Sequence, residues 1–127
     1  MYVLLSIKPQ YVKLIFKGIK KYELRKSIFK QKVKRAYIYA TSPVKRIVGT
    51  FTILKVIAGH PSELWRKYWQ YAGIDEEEFF RYFGSCKKGF CIEIGEPQMF
   101  KQPLDPHEII PDFVPPQSYR YLKLSLR

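Results

Sequence analysis

The chain has 127 residues, of which 46% are hydrophobic and 17% aromatic, and it carries a formal net charge of +12. That length suits one core and is short for two, so a single domain over residues 1–127 is expected. No apolar run reaches the length of a membrane span, and the N-terminal "VLLSI" is too short for a signal peptide. Two cysteines, Cys86 and Cys91, make no disulfide framework, and we expect reduced thiols, a cytoplasmic location and no membrane partner.

The charge is one-sided. Residues 1–58 hold fourteen Lys and Arg against Glu23 alone, a net of +13; residues 59–127 hold nine basic against ten acidic residues, a net of −1. Lysines spread for solubility would not segregate this way. A basic half beside a neutral half is the footprint of a polyanion-binding face.

In chain order, "YVLLSI" has the apolar density of a strand. Pro9 suits the first turn of a helix, where its missing N–H costs nothing. In "PQYVKLIFKG" an apolar stripe of Tyr11, Val12, Ile15 and Phe16 predicts that helix, with Lys13 and Lys17 outward and Gly18 as its stop. "KYELRK" alternates as a strand, Tyr22 and Leu24 on one face and Lys21, Glu23 and Arg25 on the other. "VKRAYIYAT" is a third strand, closed by a turn at Ser42 and Pro43. "RIVGTFTILKVIAG" is apolar on both faces and belongs in the middle of a sheet. "PSELWRKYWQYAG" lines up Leu64, Trp65, Tyr68, Trp69 and Ala72, and "IDEEEFFRYFG" starts at Asp75 as an N-cap with Glu78 three residues on. "GFCIEI" is a strand, "PQMFKQPLDP" another with a turn, "HEIIPDFVPPQ" a proline-rich loop, and "SYRYLKLSL" a last strand over Tyr119 to Leu126.

Strands with inserted helices and no strand–helix–strand rhythm predict an α+β fold: a small, mostly antiparallel barrel, closed or half-closed, decorated by three helices. Barrels of this size fill their own interior, so a binding surface must lie in a cleft beside it.

"SIKPQYVKLIFKGIKKYELRK" resembles the N-terminal signature of ASCH domains of the PUA-like superfamily: a strand, "KP", a helix, then G-x-K-x-x-E/T-x-R. Here that segment is Gly18, Lys20, Glu23 and Arg25. The "VGTFTILKV" strand, the paired helices, "GFCIEI" and "PPQSYRYLKL" are similar too, so the resemblance covers nearly the whole chain. It implies a six-stranded pseudobarrel with a cleft and a role in RNA binding or RNA-linked regulation. Some members are small amidohydrolases acting on acetylated cytidine through a Lys, a Thr and a Glu, and others are nucleases. Lys20 matches that Lys, Glu23 stands at the Thr position, and "RKYWQYAG" offers no carboxylate for the Glu.

The isolation of Glu23 has two readings. It can be one rung of a solvated charge ladder between Lys21 and Arg25, of little energetic weight. Alternatively it orients Lys20 and Arg25, which hold phosphate, and accepts a hydrogen bond from a base. The nucleic-acid-binding candidates are Lys8, Lys20, Lys21, Glu23, Arg25, Lys26, Lys34, Arg35, Ser118 and Arg120, with Lys20 and Glu23 as catalytic candidates. Trp65 and Trp69 either stack on bases or belong to a core face. C-x₄-C without a second pair or a spaced histidine gives no zinc site, and no metal or cofactor is expected. The expected partner is RNA or a nucleotide. A binding module stands against a small hydrolase acting on a nucleoside or RNA through Lys20 and Glu23, with a protein-interaction domain as a third class.

Overall fold

The computed structural model describes residues 1–123. Six strands form one sheet: β1 (Tyr2–Ile7), β2 (Tyr22–Arg25), β3 (Arg35–Ala40), β4 (Arg46–Gly59), β5 (Gly89–Leu104) and β6 (Tyr119–Leu122), in the order β2-β5-β4-β3-β1-β6. Four α-helices accompany them: α1 (Pro9–Phe16), α2 (Pro61–Tyr68), α3 (Glu76–Phe83) and α4 (Pro106–Ile109), with a 3₁₀ turn over Trp69–Tyr71. The sheet is mixed: β1 and β3 run parallel and the other pairs antiparallel. The parallel pair arises because β2, between them in sequence, leaves for the far edge to pair with β5.

β4 is central, as its two apolar faces require. Val3, Leu5, Ile7, Ile38, Phe51 and Ile92 build the main core with Val12 and Ile15 of α1 beneath it. A second cluster holds Leu4, Tyr37, Tyr39 and Ile47 with Phe100 and Phe113; a third seats Leu64, Phe79 and Phe83 of α2 and α3 on Leu24 and Cys91.

Several boundaries differ from the expected ones. β5 runs unbroken through Pro97 and Pro103 instead of stopping at "GFCIEI". β2 covers only Phe90–Glu93 of it, so beyond Glu93 the outer side of β5 is a sheet edge, where proline removes no ladder bond. Within the proline-rich segment, Asp105 caps a short helix by accepting from the His107 N–H, with Pro106 at its first position. Asp75 caps α3 through the Glu78 N–H, as the sequence indicates. Of the expected last strand, residues 124–126 lie outside the described residues.

The two sheet edges, β2 and β6, do not pair, yet they approach. From β2, Arg25 reaches the Ser118 carbonyl at 3.0 Å, one residue before β6, and the Ser6 carbonyl of β1 at 2.9 Å. The barrel is therefore half-closed, and side-chain bonds bridge its seam.

Candidate functional site

That seam is a cleft of about 990 Å³. One wall is the end of β1 with Lys8, Gln10 and Tyr11; the floor is Lys20 and β2; the far walls are α3 and residues 116–118. Glu23 and Arg25 face inward, which corrects the solvated-ladder reading: Lys20, Glu23 and Arg25 are all buried. Strand alternation placed Glu23 and Arg25 on one face together with Lys21, which is exposed; the buried lysine is Lys20, ahead of the strand. What covers that face arrives from α3 and from residues 116–118, far along the chain.

The three charges form a connected group. Arg25 Nη2 lies 2.7 Å from Glu23 Oε2, and Lys20 Nζ lies 3.9 Å from Glu23 Oε1. Arg25 also donates to the Ser118 carbonyl, the Ser118 hydroxyl (3.2 Å) and the Ser6 carbonyl, so its terminal nitrogens are occupied; Nε alone is buried without a partner. The Ser6 hydroxyl donates to the Pro116 carbonyl at 2.6 Å. Arg25 and Ser6 thus fasten residues 116–118 across the cleft.

Lys20 is fixed from the helical excursion. Its Nζ donates to the Ala72 carbonyl at 2.5 Å and lies 5.2 Å from the Tyr11 ring centre. Gly73 makes this possible: it has φ +67°, and a Cβ there would sit 2.7 Å from Lys20 Cβ. Burial lowers the pKa of Lys20 from its ordinary value against the opposing pull of Glu23. Across the cleft, the Tyr11 hydroxyl donates to Glu78 Oε2 at 3.2 Å, and burial with that bond raises the Tyr11 pKa. Burial likewise raises the pKa of Tyr82, whose hydroxyl donates to the Leu24 carbonyl.

Of the candidates named from the sequence, Lys8, Lys20, Glu23, Arg25, Lys26 and Ser118 line the cleft. Lys8 and Lys26 are its exposed rim, with Lys26 Nζ 5.0 Å above the Tyr82 ring. The remaining four lie elsewhere. Lys21 is exposed above Tyr71; Lys34 lines a separate groove of about 500 Å³ with Lys32 and Lys55; Arg35 donates to Thr50; Arg120 is exposed on β6 opposite Leu4.

Tyr11, Glu78, Arg81, Tyr82 and Gln117 line the cleft without having been candidates. Tyr11 carried only the helix-stripe signal and Glu78 only the capping signal. Although "RKYWQYAG" supplies no carboxylate, the next helix does, in Glu78. The family's threonine position is filled by Glu23, whose carboxylate is committed to Arg25. Among the described residues no three His, Cys, Asp or Glu side chains come together as a metal site.

The ASCH domain family model matches residues 5–103. The chain belongs to the ASCH domain family. An "ASCH domain-containing ribonuclease" of Zymomonas mobilis is 30% identical over 94% of this chain and 82% of its own length. The crystal structure of ASCH from Zymomonas mobilis has a TM-score of 0.90 at 29% identity, covering 96% of this chain and 87% of that one. The large ribosomal subunit protein uL22 of Ureaplasma parvum is 28% identical over 95% of this chain but only 39% of its own length. The half-barrel described above is thus the PUA-like fold of ASCH proteins. Lys20, Glu23 and Arg25 fall inside the matched residues, whereas Pro116 to Ser118, the strap across the cleft, lie beyond them.

Proposed function

We propose that this ASCH domain binds RNA in the cleft between β1, β2 and residues 116–118. The observation that carries the reading is the buried Lys20–Glu23–Arg25 group at the floor of the cleft. A fold selected for stability alone gains little from burying two cations and a carboxylate, whereas binding sites hold such groups ready. Lys8 and Lys26 at the rim neutralise phosphates. Glu23 sets the positions of Lys20 and Arg25, and Glu78, Gln10 and Gln117 offer acceptors and donors to a base edge.

The test is the salt dependence of binding to a short labelled single-stranded RNA. Log affinity should fall linearly with log salt, and charge reversal of Lys8 and Lys26 should flatten that slope. Reversal of Lys32 and Lys34, in the separate groove, should leave the slope nearly unchanged. Wild-type binding undetectable at low salt, or equal loss from the two pairs, would remove the cleft from RNA recognition.

A second reading, RNA cleavage, is favoured by the Zymomonas mobilis relative named as a ribonuclease and by the lowered pKa of Lys20. In that reaction the RNA 2′-oxygen loses its proton and attacks phosphorus, the bond to the 5′-oxygen breaks, and that oxygen takes a proton. The product is a 2′,3′-cyclic phosphate. Lys20, beside Tyr11 and the acceptor Glu23, is the group positioned to move a proton or hold the charged phosphorane. Lys20→Arg separates the readings, because arginine keeps the charge but does not give up its proton. A binder should keep its affinity; an enzyme should lose about 10²–10⁴-fold in cleavage.

A further inference from the structure

Beside the cleft stands a half-exposed aromatic surface. Trp69 is 52% exposed, Tyr71 46% and Ile19 50%. α2 ends at Tyr68 and a 3₁₀ turn follows over Trp69–Tyr71; the Trp69 ring lies 6.4 Å from the Trp65 ring, which packs on Phe79. The Lys21 N–H donates to the Tyr71 carbonyl at 2.8 Å, and Lys21 Nζ sits 4.6 Å above the Tyr71 ring. The adjacent Lys20 turns the other way, into the cleft, to the carbonyl of Ala72. One pair of neighbouring lysines therefore joins the cleft floor to the aromatic surface.

We infer that Trp69 and Tyr71, with Lys21, form a stacking platform for unpaired bases of a single-stranded RNA whose neighbouring nucleotides occupy the cleft. This rests on the RNA reading above and specifies its substrate class. Base faces stack on half-exposed aromatic rings, and a lysine beside them meets the phosphate between successive bases. On the 19–21 side Glu23 is turned into the cleft, and although Glu93 stands opposite Tyr22 on β5, Lys21 over the Tyr71 ring supplies the positive charge that a phosphate would meet there. A duplex hides its base faces and gains nothing from such a surface. An apolar protein partner would gain nothing from the lysine over the ring.

The experiment compares the dinucleotide UpU with an oligouridylate of about ten nucleotides, within the range of single-strand site sizes. The full chain is used as wild type, Trp69→Ala, Tyr71→Ala and Trp69→Phe. Each alanine variant should weaken decamer binding by about 5- to 100-fold, the alanine-substitution range for one stacked base. Affinity for UpU and the thermal unfolding midpoint should stay close to wild type, and Trp69→Phe should retain most of the decamer affinity. Alanine variants that bind the decamer as wild type does would overturn the platform and leave the RNA reading intact; they would point to a protein partner for the surface. Equal losses for UpU and decamer would also overturn it, since the damage would then lie in the cleft. If the wild type binds neither RNA, the cleft reading fails, and the platform fails with it.

Discussion

The guanidinium of Arg25 and the carboxylate of Glu23 lie 2.7 Å apart with both side chains less than one-tenth exposed, and they are neighbours on a single strand face. Their bond fixes the geometry of the cleft floor. Glu23 and the Ser6 carbonyl share Nη2 of Arg25, the Ser118 carbonyl takes Nη1, and Lys20 completes the group.

Removing Glu23 should therefore damage the fold, in contrast to an exposed ladder residue. Glu23→Ala leaves Lys20 and Arg25 buried with no opposing charge, and breaking such a pair costs about 3–5 kcal/mol. Glu23→Gln, which keeps an acceptor, should cost less. The double variant Glu23→Leu/Arg25→Met should be less destabilised than the two single changes added together. Urea midpoints measure all of these; a Glu23→Ala midpoint equal to wild type would contradict the buried geometry.

Gly73 offers a test of how Lys20 is seated. An alanine there has to adopt a left-handed backbone, at about 1–2 kcal/mol, with its Cβ pressed against the Lys20 stem. Gly73→Ala should lower stability by at least that amount and displace Lys20 Nζ from the Ala72 carbonyl. RNA binding should then weaken although no residue with a functional group was changed. Unaltered affinity with full stability would show that the seat is not needed.

Arg25→Lys keeps the charge and loses the fork that reaches Ser6, Ser118 and Glu23 together. The strap at residues 116–118 should loosen. Faster amide hydrogen exchange at residues 117–119, with the β4 amides still protected, is the expected pattern. Uniform exchange acceleration across the sheet would instead mean that Arg25 supports the whole fold equally.

The cysteines should behave oppositely. Cys91 is fully buried, and burial pushes its thiol up to about 12 from 9.0. Cys86 is partly exposed. Iodoacetamide at about pH 8 should label Cys86 in the native protein and Cys91 only in urea, because the thiolate is the reactive species. Since the folded-state pKa of Cys91 is raised, its contribution to stability is complete below pH 9 and is lost as pH climbs toward 12. The stability advantage of wild type over Cys91→Ala should narrow over that interval. A constant difference would assign Cys91 a packing role alone.

Local signals read correctly wherever the deciding physics is local. Pro9 and Gly18 bracket α1, the Asp75 cap starts α3, and the two-faced apolarity of β4 places it centrally. The unread features depend on distant chain. Alternation along "KYELRK" assigns a face to Glu23 but not the distant partners of its neighbours, Ala72 on Lys20 and Ser118 on Arg25. Helical periodicity grouped Trp69 with Leu64, but the helix gives way to a 3₁₀ turn at that residue. Pro97 reads as a break until one sees that β2 is too short to pair with β5 there. Six of the ten sequence candidates line one cleft; Lys34 and Arg35 carry the same charge signal but belong to other parts of the surface. Net charge marks the half of the chain, and only the tertiary arrangement distinguishes among its lysines.

The strap and the lysine seat also set when in folding the cleft can exist. Lys20 is completed by Ala72, 52 residues on, and Arg25 by Ser118, 93 residues on. Contacts of such separation must overcome loop-closure entropy and form slowly relative to the local helices and hairpins. A chain folded as far as β5 already holds Lys20 on Ala72 and Arg25 on Glu23 but lacks the strap, so its cleft lies open to any polyanion and is selective for none. On the proposed RNA reading, discrimination begins when residues 116–118 close over Arg25, so RNA selectivity in a refolding experiment should lag behind bulk RNA affinity.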